Sequence, residues 1–398
     1  MPCREKSNIV GLEENELEVL GKVSQRKKNN ALIIIPGSID FRGIQIFFLN
    51  VLKYFDYSNL SIDLYFGGSC NNAEIEVALK SYGVGLYTGN SDMSTRKNES
   101  KYNEDIQALL RENDYTCVYV NSGMPWFNYI ALKNAKKCGV PKRISHSHSS
   151  HIPSKKAIVR IFQSLLRLKS NSIATDFLAC SEQAGVWMFG KRKMQKNGKV
   201  LYNGIDAKKY IYNAKVRDEY RRTYGVQEKS VVLHVGAFNS AKNQKFLVEV
   251  LSCLRDTTKD IVFILIGSGP TKEEICRLAN QLGVADRIIF ITETSHVENY
   301  MQMADLFVLP SVFEGLGIVN IEAQASGLKC LVSDVVPKMI DVTGLVTFKS
   351  LSDGPEEWAK VMSDMLNPYE RKNTASMIEN SGFDAKNTAE ILQRIIMR

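Results

Sequence analysis

The sequence contains no C-x-x-C pair and no closely spaced cysteine framework. Its eight cysteines are scattered over 398 residues, which argues against a zinc finger or a disulfide scaffold and predicts reduced thiols in a cytoplasmic protein. No apolar run reaches about 18 residues, and no basic-then-apolar leader opens the chain, so neither a spanning helix nor a signal peptide is expected. Any membrane contact would be peripheral. Solenoid-range repeats and low-complexity tracts are also missing. What remains is an ordinary globular chain with the length of two domains and 44% hydrophobic residues, enough for two cores. The formal net charge of +8 points to an anionic partner, whether phosphate, lipid headgroup or nucleic acid. No groove-reading or base-stacking module is visible, so no nucleic-acid partner is assigned.

Residues 1–29 are polar and read as an extension outside the folded core, with one short amphipathic stretch from Leu12 to Val23. Ala31–Ile35 is a continuous apolar strand. Strand patterns at Ser61–Phe66, Cys117–Asn121 and Lys142–Ser145 then alternate with helical ones at Gln45–Tyr54, Ala73–Tyr82 and Glu104–Glu112. That alternation predicts a doubly wound parallel sheet. A second series runs through Val231–Val235, Ile261–Ile266, Arg287–Ile291, Leu306–Leu309 and Lys329–Val332, and predicts a second α/β unit of the same kind.

The most informative stretch runs from Val308 to Glu322. Leu306–Leu309 reads as a buried strand that Pro310 and Ser311 stop, and the alternation beyond Gly317 fits a helix ending at Gly327. Gly315 and Gly317 let backbone approach a ligand closely, and the free N–H groups of a helix start attract phosphate or hydroxyl oxygens. Glu322, about a turn into the helix, can accept hydrogen bonds from a vicinal diol such as a ribose. Glu314 would face the other end of the same ligand. An acidic residue early in a helix is also a common dipole partner, worth roughly 0.3–1 kcal/mol.

Pro310 through Ala323 fills every fixed position of P-S-x-x-E-G-x-G-x-x-x-x-E-A, and the string closely resembles the E-x7-E signature of the retaining family-4 glycosyltransferases. The resemblance implies the GT-B fold: two Rossmann-like, doubly wound parallel-sheet α/β domains facing each other across a cleft. Val200–Asp206 resembles the N-G-[IV]-D element where the family's domains meet. The implied division is 1–29 as extension, 30–205 as acceptor domain, 206–382 as nucleotide-sugar domain, and 383–398 as a helix packing back on the first domain.

Other motifs resemble the same family. Gly236–Gln244 is similar to its G-R-x-x-x-x-K-N element, whose arginine and lysine hold the donor diphosphate. Lys242 and Asn243 match, while Ala237 stands at the arginine position, so one expected cation is missing. Ile266–Pro270 resembles the I-G-x-G-P turn, and Ala179–Gly185 the A-C-S-x-x-A-G segment of polysaccharide-synthesis members. Gly37–Gln45 resembles a divergent G-G-x-E loop: Gly43 matches its second glycine, with Arg42 and Gln45 at its first glycine and glutamate.

His146, His148 and His151 read as lying just past a strand. Their spacing leaves open a metal site, a plain polar loop, or the family's role for a histidine beside the donor sugar, for which His146 is the first choice and His148 the second. The resemblance implies transfer of a hexose-type sugar without a metal or other cofactor, from a nucleoside diphosphate sugar, UDP-sugar foremost, to a glycan or lipid-linked acceptor in cell-surface polysaccharide synthesis. The implied catalytic set is His146, Lys242 and Glu314. The donor-binding set is Gly43, Lys242, Asn243, Glu314, Gly315, Leu316, Gly317 and Glu322.

Two alternatives stay open. Ala237 suits a subunit that binds a nucleotide sugar or a partner protein without turning it over. A glycoside hydrolase also needs two carboxylates, about 5–9.5 Å apart and usually on different elements. Finally, Lys155, Lys156, Arg160, Arg167 and Lys169 interleave with apolar residues over Ile152–Lys169, with more cations from Lys191 to Lys199. Such a helix suits either an anionic membrane surface or a core position with a solvated basic face.

Overall fold

The computed structural model describes residues 18–21, 28–38, 43–69, 72–89, 98–148, 157–255, 260–292 and 294–398. The first domain holds an eight-stranded sheet: β1 (Glu18–Gly21), β2 (Asn29–Ile35), β3 (Leu60–Phe66), β4 (Gly85–Thr88), β5 (Cys117–Asn121), β6 (Lys142–Ser147), β7 (Asp176–Ala179) and β8 (Gly198–Val200). Their spatial order is β1-β4-β3-β2-β5-β6-β7-β8. All pair in parallel except β1, which lies antiparallel on the edge beside β4. Four residues of the stretch expected to lie outside the core therefore extend the sheet.

The second domain holds β9 (Ser230–Val235), β10 (Ile261–Ile266), β11 (Ile288–Ile291), β12 (Leu306–Leu309), β13 (Lys329–Ser333) and β14 (Val346–Lys349), all parallel, in the order β11-β10-β9-β12-β13-β14. Both sheets follow the Rossmann pattern, the first parallel strand of each, β2 and β9, lying near the centre. The order reverses between β2 and β5 in one domain and between β9 and β12 in the other, and ligands of such sheets bind at the carboxyl ends of those strands.

Burial explains the continuous apolar runs. Ala31 through Ile35 are fully enclosed because helices cover both faces of β2. Phe47, Phe48 and Leu52 of the helix Gly43–Leu52 pack on one face, and Ile106, Phe127 and Ala131 on the other. The second sheet is sandwiched in the same way, with Leu247, Leu251 and Trp358 on one side and Met301, Ile321 and Ile378 on the other.

Two crossings join the domains. Ile205 N–H donates to the Phe383 carbonyl at 2.8 Å, and Ala385 N–H returns to the Ile205 carbonyl at 3.0 Å. Gly204 permits this approach, since a Cβ there would come within 2.6 Å of the Ala385 Cα. Asp384 caps the last helix, Ala385–Met397, by accepting from Asn387 N–H at 2.7 Å. That helix buries Ala389, Leu392, Ile395 and Ile396 in the core of the first domain.

Strand β6 differs from expectation in a way that matters for the site. It continues to Ser147 because β5 and β7 both pair with it, His146 opposing Asn121 on one side and Leu178 on the other. His146 is thus inside the strand, not past it.

Candidate functional site

The loops after β9 and β12 meet at the switch point of the second sheet. Val312 N–H donates to the Ala241 carbonyl at 2.8 Å, and Asn243 Nδ2 donates to the Pro310 carbonyl at 3.2 Å. Asn243 is the one non-glycine described residue with positive φ, at 57°, which an asparagine tolerates at a helix start. These bonds set Lys242 against Glu314: the ammonium lies 2.5 Å from Oε2, and the Ser311 hydroxyl donates to the same oxygen at 3.1 Å.

The turn beyond Glu314 reaches the helix Ile318–Ala325 through Gly317, whose φ of 70° and ψ of 50° are left-handed. A side chain there would be strained, and its Cβ would stand 2.8 Å from Asn320 Nδ2. Gly315 is different: a Cβ on it would meet open space. Leu316 is buried in the domain core, which leaves its main chain as the part that can meet a ligand.

Beneath the loops, His234 is fully buried and its pKa is pushed down to about 4 by burial, so the ring is neutral. Its Nδ1 therefore donates to the Val308 carbonyl at 2.9 Å, and Nε2 accepts from Gln244 Nε2 at 3.2 Å. Gln244 also reaches the carbonyls of Gly236 and Ala237. The loop after β10 presses on the same segment: a Cβ on Gly267, at φ 147°, would fall 2.2 Å from the Gly236 carbonyl oxygen. The Ala237 side chain itself is exposed.

Glu322 sits in the second turn of that helix. Burial raises its carboxyl to about 7, opposed by a hydrogen bond from Tyr210 and the charge of Lys209. Tyr210 belongs to the short turn Ala207–Tyr210 just after the domain crossing. Its hydroxyl is raised well above the usual range by burial and by the Glu322 charge, and stays a donor. Lys209 also pairs with Glu298 at 3.1 Å. Tyr210 and His234 belong to none of the motifs read from the sequence; their signals are an aromatic just past the N-G-I-D turn and a histidine within an apolar strand.

Across the cleft stand the first domain's residues. Gly43 opens its helix at the carboxyl end of β2, while Arg42 lies outside the described residues. His146 is wholly buried, its Nδ1 2.5 Å from the Tyr119 hydroxyl, and burial holds it well below the usual histidine range. It therefore does not present its ring to the cleft. His148, beyond the strand end and partly exposed, has its ring centroid 4.2 Å from that of His146, and burial lowers it to about 4. His151 lies outside the described residues. Among the described residues, no three His, Cys, Asp or Glu side chains cluster closely enough to hold a metal ion.

Comparison with known proteins decides the family. Residues 216–380 match the model described as glycosyl transferases group 1. EpsF of Bacillus subtilis (strain 168), itself assigned as a glycosyltransferase, is 30% identical over 277 residues, 67% of this chain and 71% of that one. The chain belongs to the group 1 glycosyl transferases. A GDP-mannose-dependent phosphatidylinositol monomannoside mannosyltransferase of Mycolicibacterium smegmatis is 31% identical over 56% of this chain and 59% of its own length. Among solved structures, HepE of Anabaena in complex with UDP and glucose superposes with a TM-score of 0.72 at 16% identity, covering 91% of this chain and 98% of HepE. WaaG, a glycosyltransferase of lipopolysaccharide biosynthesis, gives 0.65 at 16% identity over 91% and 95%. The fold of this group 1 glycosyltransferase is GT-B, its two α/β domains facing across a cleft.

Proposed function

We propose that this glycosyltransferase moves a hexose-type sugar, with retention, from a nucleoside diphosphate donor to a glycan or lipid-linked acceptor in cell-surface polysaccharide synthesis. UDP is the favoured nucleotide, a choice supported by the UDP complex of the structurally similar HepE. The observation that carries the reading is the meeting of Lys242, Glu314 and a glycine-lined helix start at one switch point. The free cysteines at Cys117, Cys138, Cys180, Cys253, Cys276 and Cys330 are in keeping with a reducing, cytoplasmic location.

In the proposed reaction, the ribose hydroxyls donate to Glu322 and the diphosphate lies toward Lys242 and the N–H groups opening the helix Ile318–Ala325. Lys242 exchanges Glu314 for the leaving phosphate, whose negative charge it stabilises as the glycosidic bond breaks. Glu314, released, accepts from sugar hydroxyls. The acceptor oxygen attacks on the face from which the phosphate departs, and its proton passes to the phosphate. His148 meets the sugar from the opposite wall, and His146 positions it from behind. No metal takes part in this scheme.

Ala237 favours a second reading, a subunit that binds nucleotide sugar without turnover, because its loop carries Lys242 as the one cation of the matched element. Hydrolysis or transfer from UDP-sugars with and without EDTA separates the two. The proposed reaction predicts turnover that survives chelation. Binding without turnover supports the second reading, and activity lost to EDTA and restored by a divalent ion contradicts the metal-free scheme.

A further inference from the structure

A helix packed on a core normally turns its apolar stripe inward. The helix Ala157–Ile173 does the reverse over most of its length. Ile158, Ile161, Leu165 and Leu168 are 77%, 63%, 54% and 62% exposed. Their spacing of three, four and three residues places them on one stripe. The residues this helix buries are Leu166, Ser170 and Asn171, two of them polar. The solvated face is therefore not simply basic: it carries an apolar stripe.

Charge on and around the stripe has one sign. Residues 157–173 include no Asp or Glu, and Arg160 and Lys169 are exposed among the apolar side chains. Lys193 donates to the Asn171 carbonyl at 2.6 Å, tying the basic helix Lys191–Asn197 to the end of the first, with Lys191, Arg192 and Lys196 exposed on it. An exposed apolar stripe flanked by cations matches an anionic lipid surface in both hydrophobicity and charge.

We propose that the helix Ala157–Ile173 docks this protein on an anionic bilayer, its apolar stripe entering the headgroup boundary and its cations meeting lipid phosphates. Among the described residues no helix is long and apolar enough to cross a membrane, so the contact is made by lying on the surface. The helix follows β6 and begins on the carboxyl side of the sheet, which is the cleft side. Ile158 and Ile161 thus lie at the end nearest the site, where a lipid-borne acceptor would arrive. Docking itself does not rest on the proposed reaction, because it is measured without turnover.

Sedimentation of the full chain with phosphatidylcholine vesicles, with and without about 30% phosphatidylglycerol, tests this. The expected result is binding to the anionic vesicles that falls at least about tenfold between about 0.05 and about 0.5 M salt. The double substitutions Ile161→Gln/Leu165→Gln and Arg160→Gln/Lys169→Gln should each lower it about tenfold, while UDP binding stays as in the parent and reports an intact fold. No binding at low salt, or binding that both variants retain, overturns the proposal. Self-association in solution that Ile161→Gln/Leu165→Gln abolishes, without vesicle binding, assigns the stripe to a second copy instead.

Discussion

Lys242 and Glu314, which come from different loops, form an ion pair at 2.5 Å at the carboxyl edge of the second sheet. A partly exposed pair of this kind adds at most about 1 kcal/mol to stability. Its larger consequence is positional: in the proposed reaction each partner is held near the donor's place and the pair opens when the donor binds. Lys242→Ala and Glu314→Ala are each expected to lower turnover by about 10²–10³. The double variant should lose less than the sum, by about 0.5–3 kcal/mol in a cycle of kcat/KM values. Strict additivity would show that the two act independently.

Glu322 and Tyr210 predict a pH dependence. The carboxyl titrates near 4.5 when unfolded and near about 7 when folded, so the folded protein holds this proton more tightly. Its contribution to stability is then greatest below 4.5, falls as pH rises, and reaches its floor above about 7. In the proposed reaction ribose hydroxyls donate to the ionised form, so UDP affinity should rise from about pH 6 to about pH 8. Tyr210→Phe removes the hydrogen bond that favours ionisation and should move this rise to higher pH. Calorimetric titrations across that range check it, and a rise left in place would uncouple Tyr210 from Glu322.

Ala237 is exposed on its loop, so a longer side chain has room there. Ala237→Arg should strengthen UDP binding by about tenfold, the gain of one charged phosphate contact. Loss of binding in a folded variant would mean that the phosphates follow a different course through the site.

The two histidines should respond differently. His146→Ala leaves the Tyr119 hydroxyl without its partner and opens a void in the core, costing roughly 2–4 kcal/mol. His148→Ala should cost less stability and lower turnover more than its effect on Tm explains. Thermal denaturation beside single-turnover rates gives the comparison. The reverse pattern would return the sugar-facing role to His146.

Much of the strand-turn-helix geometry of the candidate site was legible because its signals are local: a strand stopped by Pro310, glycines at Gly315 and Gly317, and a carboxylate on each side of the turn. The alternating patterns likewise gave both parallel sheets. The position of His146 was not legible, because β6 is lengthened by pairing with β5 and β7 together, a non-local effect that apolar periodicity does not record. Tyr210 escaped for a similar reason, its partner lying far along the chain on a helix. The pattern of the helix Ala157–Ile173 could be read, but the side that the fold leaves open could not, since that depends on what packs against Ser170 and Asn171.

In the proposed reaction the loops after β9 and β12 form a nucleoside diphosphate site, and Glu322 accepts from the ribose. Isothermal titration calorimetry of UDP against the parent protein and Glu322→Ala tests it most directly. Saturable one-site binding by the parent is expected, with a loss of at least about tenfold in the variant, the worth of one hydrogen bond to a charged acceptor. Equal affinities for the two proteins, or no UDP binding by the parent, would contradict it.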